Sequence, residues 1–263
     1  VTPIFSVRNN MHPFPARRIL SMARSLLLLS NSRDADGRFL AHPRDALAAH
    51  LEGVRSALFV PWAGVTIAPD AYTARVRPVL AAFGVTVTSL HELANPAEAL
   101  ADAEAIAVGG GNTFRLLERL QYHALLDPLR ARIRAGARYV GWSAGSVLAG
   151  PTIATTNDMP IVAPAGLGAL GVVGFQVNAH FTDAHPPGFR GETRRERLAE
   201  YLALNPASRV VGLPEGSWLT VAEAAITLGG PHAAPCFTSS GVVEVAPGDR
   251  LDSVLEPDGP PTE

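Results

Sequence analysis

The 263-residue chain predicts an α/β domain: a mostly parallel, doubly wound sheet with helices on both faces and an antiparallel C-terminal edge. Three observations lead there. From Ser25 to Gly150, short and uniformly apolar runs alternate with helical patterns, as they do where strands are covered on both faces. Beyond Gly150 that alternation gives way to a Gly/Pro-rich loop and then several short strands. The composition, 47% hydrophobic and 17% charged, is that of a globular chain long enough to bury a core.

In chain order, strands are expected at 26–29, 57–60, 85–90, 105–108 and 138–142, because each is a short apolar run bounded by turn residues. Helices are expected between them at 45–51, 70–83, 96–103, 113–121 and 125–135. The right-handed crossover rule distributes these helices over the two faces of the sheet. The loop 150–171 leads to a strand at 172–178, a loop holding Pro186-Pro187 and an Arg-rich helix at 192–204. Short strands at 209–213, 218–222, 225–228 and 242–245 complete the antiparallel edge. No internal repeat and no linker divides the chain, so 22–250 reads as one α/β domain. Residues 1–21 are expected to be a disordered extension, and 251–263 a tail whose prolines fray from Glu256 onward.

Charge removes several function classes. Twenty-two basic against 24 acidic residues leave −2, which opposes a binder held by phosphate neutralisation. Every basic residue is arginine, and without lysine there is no P-loop ATPase of the usual kind, no Schiff-base enzyme and no Ser–Lys hydrolase. A single cysteine, Cys236, excludes an intrachain disulfide and a Cys-rich metal cluster, and fits a reducing, cytoplasmic setting. The uncharged stretch 159–179 is broken too often by Pro and Gly to span a membrane. The first 33 residues, with five Arg and no acid, match a transit peptide only loosely.

Two glycine-rich turns carry the chemistry. Gly141-Trp142-Ser143-Ala144-Gly145 follows a buried strand and opens a small-residue helix, so its serine sits on a tight strand-to-helix turn. Flanking glycines let backbone approach backbone there, and the hydroxyl projects at the carboxyl end of the sheet. Gly109-Gly110-Gly111-Asn112-Thr113-Phe114 follows another strand and turns main-chain N–H groups toward a ligand. One reading is an oxyanion hole, with Gly111 and Ala144 N–H aimed at one developing negative oxygen; a plain strand-to-helix turn would account for one of the three glycines but poorly for all three. A phosphate cradle is the rival reading, but neither lysine nor Gly-x-Gly-x-x-Gly spacing supports it.

A serine hydroxyl needs a base. Among eight histidines, His180 ends an apolar strand and opens a loop, His91 follows a strand, and His185 and His232 lie in loops. Spacing alone favours His180 without deciding. The acid that would orient the base is either Asp158, in the loop after the nucleophile turn, or Glu215, just past a strand end. His180, Asp183 and His185 could ligate a metal, but their serial spacing makes a poor tetrahedral cage, so neither a metal nor an organic cofactor is expected.

Taken together, 26–32 (Leu-Leu-Leu-Leu-Ser-Asn-Ser), 109–114, 141–145, 155–160 (Thr-Thr-Asn-Asp-Met-Pro), 178–182 (Asn-x-His-Phe-Thr), 191–194 (Gly-Glu-Thr-Arg) and 212–216 (Gly-Leu-Pro-Glu-Gly) resemble the dipeptidase E (α-aspartyl dipeptidase) family of serine peptidases. The resemblance implies a flavodoxin-like, class I glutamine-amidotransferase-like fold with serine at the cysteine position, and hydrolysis of dipeptides bearing an N-terminal aspartate. By position it puts the nucleophile on Ser143, the base on His180, the third member on Asp158 or Glu215, and the oxyanion donors on Gly111 and Ala144. Arg194 would receive the aspartyl carboxylate, whose burial requires a cation, and Asn112 is assigned with it to substrate binding. The implied partners are small peptides, with no nucleic acid and no membrane, and the protein a monomer or homodimer. A cyanophycinase-like hydrolase of aspartyl-arginine peptides and a catalytically silent ligand-binding homologue are the alternatives.

Overall fold

The computed structural model describes residues 24–184, 188, 190–257 and 259. Its layering is set by alternation along the first strand. β1 (Ser25–Leu29) carries four leucines, and the pleat sends Leu26 and Leu28 into one core and Leu27 and Leu29 into another. The strands that follow in the chain are β2 (Ser56–Val60), β3 (Thr86–Ser89), β4 (Ala105–Val108), β5 (Arg138–Trp142), β6 (Gln176–Phe181), β7 (Val210–Pro214), β8 (Trp218–Ala222), β9 (Ala225–Gly229), β10 (Ala234–Thr238) and β11 (Gly241–Val245). Seven of them form the central sheet in the order β3-β2-β4-β5-β1-β8-β9. The run from β3 to β1 is parallel, whereas β8 and β9 pair antiparallel at its edge.

Helices cover both faces. α1 (Arg44–His50) and α2 (Pro69–Ala81) press Leu47, Val76 and Leu80 against Leu27, Leu29 and Phe59. α3 (Pro96–Ala101), α4 (Thr113–Tyr122), α5 (Leu126–Arg134) and α6 (Ala144–Leu148) fill the opposite core with Leu100, Leu116, Leu129 and Leu148. Pro69 and Pro96 stand at the first helical positions, where a missing N–H costs nothing. The fold is therefore α/β with a mixed, mostly parallel central sheet between helical layers. No helix among the described residues is long and apolar enough to cross a membrane.

The expected antiparallel edge is only part of the C-terminal half. β6, β7, β10 and β11 build a separate four-stranded sheet in the order β11-β10-β7-β6, with β6 and β7 parallel. α7 (Arg194–Leu204) covers it, packing Leu198 and Leu202 on Phe181, Val210 and Phe237. The strand expected at 172–178 is shifted: Val172 and Val173 are buried in a loop, and pairing runs from Gln176 to Phe181. β10 has no counterpart in the sequence reading because Pro235 argues against a strand. Its ladder with β7 begins only at Cys236, so Pro235 meets β11 alone. The expected strand 85–90 ends at Ser89, where a capping box with Glu92 starts a 3-10 turn.

The tail expected from 251 is also corrected. α8 (Asp252–Leu255) buries Leu251 and Leu255, and Glu256 forms a two-pronged ion pair with Arg24 at 2.8 and 3.0 Å. A third contact, from Gly174 N–H to Glu256, closes the loop before β6 onto the same carboxylate. The expected extension 1–21 lies outside the described residues.

Two predictions follow from these buried groups. Removing one partner of a buried pair leaves a charge without its counterion, so Glu256→Ala should cost about 3 kcal/mol in denaturant unfolding, and Arg24→Met/Glu256→Leu should recover much of it. Burial pushes the His50 imidazole from 6.5 down to about 4, and the Arg138 charge acts in the same direction. The unfolded chain then binds a proton that the folded chain refuses, so stability is full above 6.5 and falls as pH drops toward 4. His50→Leu should flatten that slope in unfolding midpoints measured across the window.

Candidate active site

The carboxyl ends of β1, β4 and β5 converge, and the tightest point is the turn from β5 into α6. Ser143 has φ 52 and ψ −113, a conformation that L-residues hold only under surrounding constraint. Those constraints are visible. Ser143 N–H donates to Leu29 C=O at 3.0 Å, and Ser146 Oγ reaches both Leu29 C=O and Gly141 C=O. Tyr139 Oη holds Gly145 C=O at 2.6 Å. A Cβ at Gly145 would stand 2.3 Å from Val108 C=O, and one at Gly141 2.6 Å from Gly145. Both flanking positions therefore need glycine.

The second glycine turn leans on the first. A Cβ at Gly110 would meet Ser143 Cβ at 3.0 Å, and one at Gly111, whose φ is 140, would lie 2.1 Å from Ala63 C=O. Tyr72 Oη donates to Gly110 C=O at 3.0 Å and accepts Trp142 Nε1–H at 2.8 Å. Burial pushes the Tyr72 phenol up to about 12, so it stays a donor at neutral pH. Neither Gly111 N–H nor Ala144 N–H has an acceptor among the described residues; Gly111 lines the cavity around Ser143, and Ala144 follows Ser143 as the first residue of α6.

His180 comes from the other sheet. It lies inside β6, not at its end, with φ 55, where the pairing with β7 slips between Ala179 and Phe181. This bulge turns the imidazole toward β5. His180 Nε2 is 2.9 Å from Ser143 Oγ, and Nδ1 is 2.7 Å from Glu215 Oε1. A carboxylate only accepts, so Nδ1 carries the proton and Nε2 of the neutral ring is left to accept from the serine hydroxyl.

Asp158 takes a different place. Its carboxylate accepts from Thr113 N–H at 2.7 Å, from Thr113 Oγ1 and from Thr156 Oγ1 at the N-terminus of α4, and no hydrogen bond joins it to His180. Asn112 caps the same helix through Oδ1 and donates Nδ2–H to Met159 C=O, so both ends of its amide are engaged within the fold. Arg194, first residue of α7, keeps a buried Nη1 without a partner among the described residues. Burial pulls its pKa down while the Glu215 charge pushes it up. Arg195 is committed to Asp183 and Glu244 and lies over the Phe237 ring.

The remaining candidates lie elsewhere. His91 bridges Asp70 and Ser89, and Glu92 beside it is held by Arg77, so this grouping of possible metal ligands is already internally bonded. His123 stacks on Trp62, and His232 lines a cavity of about 700 Å³ on the far side of Glu215. His185 lies outside the described residues. The thiol of Cys236 is fully buried and pushed up to about 12, so it offers no thiolate at neutral pH.

Two residues of the site carried no role in the sequence reading. Ser30 accepts His180 N–H at 2.9 Å and donates to Leu213 C=O at 2.8 Å, tying the end of β1 to β6 and β7 of the second sheet. Asn31 accepts Gly216 N–H at 2.9 Å and so holds the turn that presents Glu215. Their signal was the polar pair Ser30-Asn31 directly after four buried leucines. Ser143, His180, Asp158, Gly110 and Gly111 share a cavity of about 500 Å³ with Tyr72, Arg33 and Arg75.

Comparison with known proteins places the chain in a family. The chain is 51% identical over 214 residues to peptidase E of Citrobacter koseri, covering 81% of this chain and 93% of that one. Peptidase E of an Escherichia coli strain is 49% identical over 212 residues, with the same coverage. The crystal structure of a peptidase from an acI-B1 Actinobacterium superposes with a TM-score of 0.65 at 16% identity, over 88% of this chain and 97% of that one, a likeness of fold. The profile of peptidase family S51 matches residues 26–229, and the chain belongs to that family, the family of peptidase E.

Proposed function

We propose that this chain is a serine-type dipeptidase that hydrolyses peptides with an N-terminal aspartate through an acyl-enzyme on Ser143. The observation that carries the reading is the continuous relay Ser143–His180–Glu215, at 2.9 and 2.7 Å, beside two N–H groups with no acceptor. Family membership supports peptide-bond hydrolysis, and the parallel run from β3 to β1 fits a flavodoxin-like, class I glutamine-amidotransferase-like subclass.

In the first step His180 Nε2 takes the Ser143 proton as Oγ attacks the aspartyl carbonyl carbon. Negative charge passes to the carbonyl oxygen, where Gly111 and Ala144 N–H receive it. His180, now doubly protonated and held by Glu215, gives its proton to the leaving amine, and the C–N bond breaks. Water, deprotonated by the same nitrogen, then releases aspartate and frees Ser143. The unpartnered Nη1–H of Arg194 suits the aspartyl carboxylate, since a buried donor without an acceptor is costly until a substrate supplies one. Asp158 acts indirectly on this reading, by fixing the loop 155–160 to α4.

The test is hydrolysis of an Xaa-Leu panel, followed by leucine release, with β-Asp-Arg included to probe a cyanophycinase-like preference. Asp-Leu should be the preferred member, and Ser143→Ala should lower its kcat/KM by at least about a thousandfold. Glu215→Ala should lose about a hundredfold or more in kcat. Asp158→Ala should lower the thermal midpoint while changing kcat less than about tenfold, since it removes an anchor and no relay partner. Arg194→Gln should act mainly on KM for Asp-Leu, by about tenfold or more. Full activity in Ser143→Ala would end the reading.

A further inference from the structure

An Asp-Xaa dipeptide brings two carboxylates to the site, and Arg194 accounts for one. We propose that Arg33 and Arg75 form a second carboxylate receiver, which takes the C-terminal carboxylate of the substrate and sets the preference for dipeptides. This deepens the reading of the preceding section and rests on it.

Both arginines line the cavity that holds Ser143 and His180. They come from different elements, Arg33 from the loop after β1 and Arg75 from α2. They share this cavity with Gly110, Gly111 and Tyr72, whose hydroxyl donates to Gly110 C=O, so the two guanidinium groups stand in the same cavity as the oxyanion loop. Neither has an acidic partner among the described residues. Asp34, next to Arg33 in the chain, is bound to Arg38 at 2.7 Å, and Arg33 itself gives only Nη1–H, to Gly37 C=O. Arg75 has no hydrogen bond or ion pair among the described residues. The one acid lining this cavity, Asp158, already accepts from Thr113 and Thr156. Two guanidinium groups therefore line this cavity against the single carboxylate of Asp158, which is bonded to neither of them. Planar forks of this kind suit a carboxylate.

Chain geometry says which carboxylate. In a dipeptide the terminal carboxyl carbon lies one residue from the scissile carbonyl, about 3.3–3.6 Å of chain at most, so it stays in the cavity that holds Ser143. A third residue would carry the carboxylate a further step of that length away. An amidated dipeptide fills the same space without the charge.

The experiment compares kcat/KM for Asp-Leu and Asp-Leu-amide in the wild type and in Arg33→Gln/Arg75→Gln. Both side chains are exposed, so the fold should tolerate the change. The expected result is a wild-type preference for the free carboxylate of about tenfold or more. In the double variant that ratio should fall toward one, and Arg33→Lys/Arg75→Lys should restore part of it. A wild type that cleaves both peptides equally, or a double variant that keeps the wild-type ratio, overturns this inference and leaves the dipeptidase reading standing. Equal loss on both peptides would overturn it too, by pointing to the aspartyl side chain as the group received. A wild type that cleaves neither peptide overturns both readings.

Discussion

Everything near the site depends on how closely backbone can approach backbone at the β5–α6 turn. Ser143 is held at a positive φ because Leu29, Gly141, Gly145 and Val108 leave it no other course. Such strain persists only where neighbouring structure over-determines it. Here the β1 end supplies the hydrogen bonds, the β4 end supplies the contact surface, and Tyr139 ties down the first turn of α6. The result is a serine hydroxyl presented at the carboxyl end of the sheet, in the cavity it shares with His180 and Gly111.

The imidazole is delivered by different means. A parallel sheet whose strands all end on one rim could have supplied a histidine from another of its own loops. Instead His180 arrives from a second sheet, through a bulge, and the two sheets are locked at that point by the hydroxyl of Ser30. Asn31 does the same for the Glu215 turn. The serine, the histidine and the acid are thus referenced to the end of one strand, β1, although each lies on a different element. Asp158, a second carboxylate beside Ser143, is not bonded to His180 because the Thr113 donors at the start of α4 hold it.

An arginine-only chain also shows in the packing. Arg138 donates to His50 and Glu52 carbonyls together, and Arg130 to those of Ala169 and Leu170. Arg24 spans the Glu223 carbonyl and the Glu256 carboxylate. Each guanidinium satisfies several carbonyls that loops leave open, which a single ammonium at the end of a flexible stem does less well. The pairing of Arg24 with Glu256 explains why residues 251–256 are folded: proline content spoke for fraying, but the Glu256 carboxylate is buried against Arg24.

Local chemistry was legible in the sequence wherever it was local in cause. Apolar runs with no polar alternation meant strands covered twice, and β1, β2, β4 and β5 lie where those runs stand. Glycines at 109–111, 141 and 145 meant close backbone contact, and each of them meets a neighbour that a Cβ would strike. The seven motifs in order identified the family, and His180 stood out as a histidine near a strand end. What the sequence could not contain was pairing between distant segments. Whether β6 stops before His180 or bulges through it depends on β7, thirty residues away in the chain. Whether Asp158 or Glu215 faces the imidazole depends on which acid meets other donors first. Strand register and hydrogen-bond competition are set by long-range packing, and only the folded chain decides them.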